Sequence, residues 1–178
     1  MKTTRQTLLL IISALVIMLT GCAAPADRSA MTPSDITVSK HFPYSINVRT
    51  SGGSATGAMD SSNISDADLQ TAIEDAIRNS RLFTTIVKSS SGDYELSVSI
   101  TQLSKPMFGL TFTVQMETAW SLTKVADRSV VFRKPIQSSG KATMSEAFVG
   151  VTRLRMAVEA AVRDSISQGL AAIAQLDL

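Results

Sequence analysis

One cysteine, one histidine and one tryptophan occur in 178 residues, and aromatic side chains make up only 5% of the chain. Each scarcity removes a class of chemistry. A single thiol cannot close an intramolecular disulfide or form a C-x-x-C redox pair, and with one histidine beside it a zinc site could be built only from carboxylates. A Ser-His-Asp triad would have to use His41, which sits beside Phe42 and Pro43, yet neither a G-x-S-x-G elbow nor an H-E-x-x-H pair occurs. The run Gly52-Gly53-Ser54-Ala55-Thr56-Gly57 is not followed by the lysine a phosphate loop requires; Ala58 and Met59 stand there instead. His41 is therefore read as a loop residue and the glycine run as a connection. Beyond residue 22 no apolar stretch approaches the roughly 20 residues of a membrane-spanning helix.

The apolar stretch that does exist lies at the start. Lys2 and Arg5 precede twelve mostly apolar residues, Leu8 to Leu19, and the box Leu19-Thr20-Gly21-Cys22 closes them with the sole cysteine. That order is the one expected of a secretory signal. The box resembles that of bacterial lipoproteins. The resemblance implies cleavage before Cys22, a thioether-linked diacylglycerol on its sulfur and an N-acyl chain on its new amino group, with no other cofactor. More than one buried chain makes such anchoring stable. Ala23 occupies the position where, in that family, aspartate retains the protein in the inner membrane, so the resemblance implies the outer membrane, with the folded body facing the periplasm.

Removing Lys2 and Arg5 with the signal takes the basic count from 17 to 15, against 15 acidic residues. A near-neutral body argues against nucleic acid as a partner. Three segments are expected: a signal peptide at 1–21, a lipidated flexible tether at 22–37 containing Pro25 and Pro33, and one domain at 38–178.

Within that domain, Ser45 to Arg49 alternates as a strand, and Ser65 reads as the N-cap of a helix whose stripe is Leu69, Ala72, Ile73, Ala76 and Ile77. Phe83 to Val87 reads as a short strand. Tyr94, Leu96, Val98 and Ile100 alternate with polar residues, and Leu110, Phe112, Val114, Met116, Trp120 and Leu122 share one parity along a longer strand. Val130 to Ile136 gives the last strand, with Pro135 suggesting an edge or a bulge, and Ser145 to Leu176 a long helix with Arg155, Glu159 and Arg163 on its solvated side. The expected fold class is α+β: a largely antiparallel sheet of four to five strands with two helices on one face, in the order β-α-β-β-β-β-α.

Lys105-Pro106-Met107-Phe108-Gly109 places two large apolar side chains at a hairpin tip, where polar residues are usual. Folding back against a helix end is the favoured reading; contact with a partner or the membrane is the other. Arg153 and Arg155 are read as a solvated helix face, with an anionic partner as the alternative. The carboxylates Asp66, Asp68, Glu74 and Asp75 are read as helix-dipole and surface residues. The element order, the box and the Arg153-x-Arg155-x-x-x-Glu159-x-x-x-Arg163 ending together resemble the small uncharacterised YajG-type outer-membrane lipoproteins. The reading is a lipid-anchored, non-enzymatic interaction or accessory module with an envelope protein or glycan as partner, and no metal. The alternatives are a lipid or small-molecule carrier and a carboxylate-dependent envelope hydrolase.

Overall fold

The computed structural model describes residues 24–57, 60–88 and 91–178. Cys22 and the box around it lie outside the described residues. The elements in chain order are α1 (Arg28–Met31), β1 (Phe42–Ser51), α2 (Asp66–Ser80), β2 (Phe83–Ile86), β3 (Tyr94–Ser104), β4 (Thr111–Lys124), β5 (Val130–Thr143) and α3 (Gly150–Ile173). None of the described helices is long and apolar enough to cross a membrane.

The five strands form one sheet in the order β2-β1-β3-β4-β5. The sheet is mixed, which corrects the expectation of a largely antiparallel one. β1 pairs in parallel with both β2 and β3, while β3, β4 and β5 pair antiparallel. The cause is the placement of α2 between β1 and β2: a strand followed by a helix that packs back on the sheet returns in the same direction. Among the described residues the helix count is also corrected, from two to three. α1 is a single turn capped by Asp27, whose carboxylate accepts from the backbone N–H groups of Ser29 and Ala30.

α1 belongs to the stretch 22–37 expected to be a flexible tether, and its residues 26–33 pack on the body. Ala26, Met31 and Pro33 are buried, and the turn packs on both α2 and α3. The reason it was hidden is its brevity: three inward residues in eight positions make no period. Its docking also covers the side of α3 read as solvated, so Glu159 is buried and Arg155 half-buried.

The inward faces follow the alternation. Tyr94, Leu96 and Val98 of β3 meet Phe112, Val114, Met116, Trp120 and Leu122 of β4 beneath the helices, and all are buried. Trp120 donates from its ring N–H to Thr118 Oγ1 at 3.0 Å, and that hydroxyl bonds Ser165 of α3 at 2.8 Å, so the polar atoms brought into this core are paired. β5 runs seven residues beyond the expected end at Ile136. Its small residues, with Gly140 among them, let the backbone of α3 approach: a Cβ on Gly140 would stand 2.1 Å from the Ala157 carbonyl oxygen. α3 also guards the exposed edge of β5, where Asp164 accepts from the Ser139 N–H at 3.2 Å and Gln168 donates to the Gln137 carbonyl at 3.2 Å.

These strand directions gather particular chain segments at one end. The carboxyl ends of β1, β3 and β5, the start of β4 and the starts of α2 and α3 all lie there. So do the two loops that carry the exposed apolar residues.

Candidate functional site

The connection from β3 to β4 is a tip. Met107 is 92% exposed, Phe108 87% and Leu110 72%. The favoured reading of the sequence, that Met107 and Phe108 fold back against a helix, is not what the structure has; nor is Leu110 buried with the β4 residues of its parity. Beside this tip, the connection from β5 to α3 exposes Phe148 at 81%, with Val149 and Val151 also out in solvent. Two loops 40 residues apart thus present one kind of surface at one end of the molecule.

Arg153 explains the proximity. It lies in the first turn of α3 and is buried, contrary to its reading as a solvated residue. Its Nη1 donates to the carbonyls of Ala147 at 2.7 Å and Phe148 at 3.0 Å, and its Nη2 to the carbonyl of Gly109 at 3.0 Å. Its guanidinium lies over the Phe112 ring, 4.9 Å from the centroid. The fork of donors therefore ties both loops from beneath. Gly109 takes φ +146°, a conformation that side chains rarely adopt, and so turns its carbonyl toward the cation.

The base of the tip is tied to the amino-terminal segment. Lys105 donates from Nζ to the Ser62 carbonyl at 3.0 Å and to Asn63 Oδ1 at 2.5 Å, and burial pulls its pKa below the usual lysine value. Ser62 Oγ donates in turn to the Ala24 carbonyl at 2.9 Å, and the Ala26 N–H to the Asn63 carbonyl at 3.2 Å. A second route runs through α3. The Asp27 N–H donates to Glu159 Oε1 at 2.9 Å, and Arg155 stands 3.5 Å from the same carboxylate. Burial pushes the Glu159 carboxyl above its ordinary pKa, an effect only partly offset by the Asp27 N–H and the Arg155 charge. Arg155 is thus engaged inside the chain rather than aimed outward.

Other concave regions lie elsewhere: one is lined by His41, Arg78, Arg81, Phe83 and Ile86 among others, and another is mainly polar. The polar one, a groove of about 480 Å³, is lined by Gln102, Gln115, Glu117, Gln137, Asp164 and Gln168, among others. Its carboxylates hold structural bonds: Glu117 accepts from Thr101 and Gln137, and Asp164 from Ser139 and Gln168. The carboxylates of α2 and its cap are similarly occupied. Asp66 accepts from the Gly53 N–H, Asp68 from Ser65, and Asp75 pairs with Arg28 and Arg78. Glu74, buried, pairs with Lys88 at 2.5 Å. His41 is bonded through Nδ1 to the Arg81 carbonyl at 2.8 Å. Among the described residues no group of three or more His, Cys, Asp or Glu side chains is placed to hold a metal ion.

Of the residues singled out from sequence, the structure brings Met107, Phe108 and Arg153 into one assembly, places Arg155 beside it in a structural ion pair, and leaves Cys22 outside the described part. Sequence reasoning missed Leu110, Phe148 and Val149. Phe148-Val149 just ahead of a helix is the signal that could have found the second loop, since a large apolar pair in a connection is as unusual there as at a hairpin tip.

No family model matches this chain, and no curated protein matches it. Solved structures do. A Xanthomonas campestris protein of the DUF330 family superposes with a TM-score of 0.58 at 12% identity, over 80% of this chain and 89% of that one. A minor lipoprotein from Acinetobacter baumannii matches at 0.44 and 8% identity, over 76% of this chain and 93% of that one. Lipoprotein GNA1162 from Neisseria meningitidis matches at 0.40 and 10% identity, over 65% of this chain and 95% of that one. At such identities the likeness is one of fold: the chain is a small α+β domain whose architecture is shared with the DUF330 protein.

Proposed function

We propose that this chain is a lipid-anchored, non-enzymatic domain of the bacterial envelope that engages another envelope component through the apolar tip formed by Met107, Phe108, Leu110, Phe148 and Val149. The observation that carries the reading is the exposure of that tip combined with the buried Arg153 beneath it. A large apolar side chain left in water forfeits about 1.5–3 kcal/mol of burial, and here several are held outward together by a buried cation. The Leu19-Thr20-Gly21-Cys22 box supplies the address. The groove on the β5 edge supports neither alternative as well: it offers mainly amide, hydroxyl and carboxylate groups rather than an apolar lining for a lipid, and its carboxylates are committed to backbone and glutamine donors.

A photo-activatable side chain at position 108, introduced into the full chain in living cells, tests the reading. Adducts to a defined envelope component, protein, glycan or lipid, are expected. Irradiation that yields no adduct, in cells where a water-soluble reagent does reach position 108, would remove it.

A further inference from the structure

The amino-terminal segment and the apolar tip share one end of the molecule, and this relation identifies what covers the tip. Ala24 is bonded to Ser62, and Ser62 to Lys105, the residue two positions before Met107. Asp27 is bonded to Glu159, about 13.5 Å along α3 from the start that carries the second apolar loop. The first route fixes Ala24 near the base of the tip, and the second holds the residues that follow it against α3. Only Ala23 separates Ala24 from Cys22, and two residues of chain reach at most about 7 Å.

We infer that the tip docks into the lipid bilayer that holds the acyl chains on Cys22, so that Met107, Phe108, Leu110, Phe148 and Val149 enter the interfacial layer and set the orientation of the domain on the membrane. The inference rests on the lipid-anchor reading above and names the occupant of the same site. An anchor within about 7 Å of Ala24, which is linked through Ser62 to the base of the tip, leaves the tip no long tether by which to stand clear of the headgroups. Its shape also suits a fluid phase. Met107 and Phe108 project almost free of neighbours, so they need a medium that closes around them rather than a preformed pocket. Interfacial groups of this kind bury their apolar parts about 5–10 Å into the headgroup and acyl boundary. Once the lipid anchor is in the same leaflet, contact is intramolecular, and a modest intrinsic affinity is enough to keep the tip seated.

The test uses the full lipid-modified chain in vesicles of phosphatidylethanolamine and phosphatidylglycerol carrying brominated acyl chains. Phe108→Trp and Phe148→Trp place an indole on each loop, read against the wild type, whose Trp120 is buried in the core. Both positions are exposed, so neither replacement removes a core contact. The expected result is a blue-shifted emission from each new indole that bromolipid quenches, with the wild-type emission unaffected. Vesicle-bound protein whose new indoles stay unquenched overturns tip docking and leaves the anchor reading standing. A mass showing no lipid on Cys22 overturns the anchor reading, and this inference with it. Emission that shifts without quenching, together with cross-links between copies through the tip, makes a second copy of the chain the occupant and equally overturns it.

Discussion

Arg153 Nη2 donates to the carbonyl of Gly109 at 3.0 Å, joining the first turn of a helix to a hairpin tip 44 positions earlier in the chain. No carboxylate forms an ion pair with this buried cation among the described residues; three carbonyls and the face of Phe112 receive it. Truncation to Arg153→Ala should cost about 2–4 kcal/mol in urea unfolding, because the carbonyls it serves lose charged donors. Arg153→Lys should recover only part, since one ammonium cannot reproduce the spread of the fork. Hydrogen exchange at 107–110 and 147–149 should rise in both. Unchanged exchange there would show that the loops are held by something else.

Met31 is completely buried although it lies before the first strand. Met31→Ala should therefore destabilise the domain by about 2–5 kcal/mol, the range for removing a long apolar side chain from a packed site. A mobile tether would give no change at all. Denaturant melts of the two proteins distinguish these outcomes.

Glu159 should give the molecule a recognisable pH response. Its folded pKa is raised from an ordinary value of 4.5, so in the interval above 4.5 the folded state holds more protons than the unfolded one. Its contribution to stability falls as pH rises through that interval. Glu159→Gln keeps an oxygen to accept the Asp27 N–H and does not ionise. The difference in unfolding free energy between variant and wild type should move in the variant's favour as pH is raised from about 4 toward neutrality. A difference moving the other way would mean that attraction to Arg155 and Arg163 outweighs the burial.

Gly140→Ala should be among the most damaging single-methyl changes available. The added carbon would meet the Ala157 carbonyl oxygen at 2.1 Å and the Ala161 nitrogen at 2.3 Å, both backbone atoms of α3 that no rotamer change can move. A loss of about 3 kcal/mol or more is expected in thermal or urea unfolding, through separation of α3 from β5. A neutral result would place the helix farther from the strand.

Local pattern carried individual elements well and their assembly poorly. Ser65 caps α2 by accepting from the Asp68 N–H at 3.1 Å, as its spacing implies, and Tyr94, Leu96 and Val98 are buried as their alternation requires. Alternation, however, is the same whichever way a neighbouring strand runs, so the parallel pairing of β1 with β2 and β3 left no mark on it. Gln137 to Thr143 looks like a loop because it has no large apolar residue; its inward residues Ser138, Gly140 and Ala142 are small, and α3 lies against Gly140. The site divides in the same way. Met107 and Phe108 stand out by residue type at a turn, whereas the joining of their loop to Phe148 depends on bonds between residues far apart in the chain, which no window of sequence contains.

α3 is one uninterrupted helix of 24 residues, and at 1.5 Å per residue it is about 36 Å long. It begins at the tip, and past its last turn the Leu176 carbonyl is tied to Lys40, just ahead of β1. It therefore works as a strut. With its first turn at a surface and its axis upright, Lys40 and His41 would be carried some 36 Å out, a standoff set by helix length.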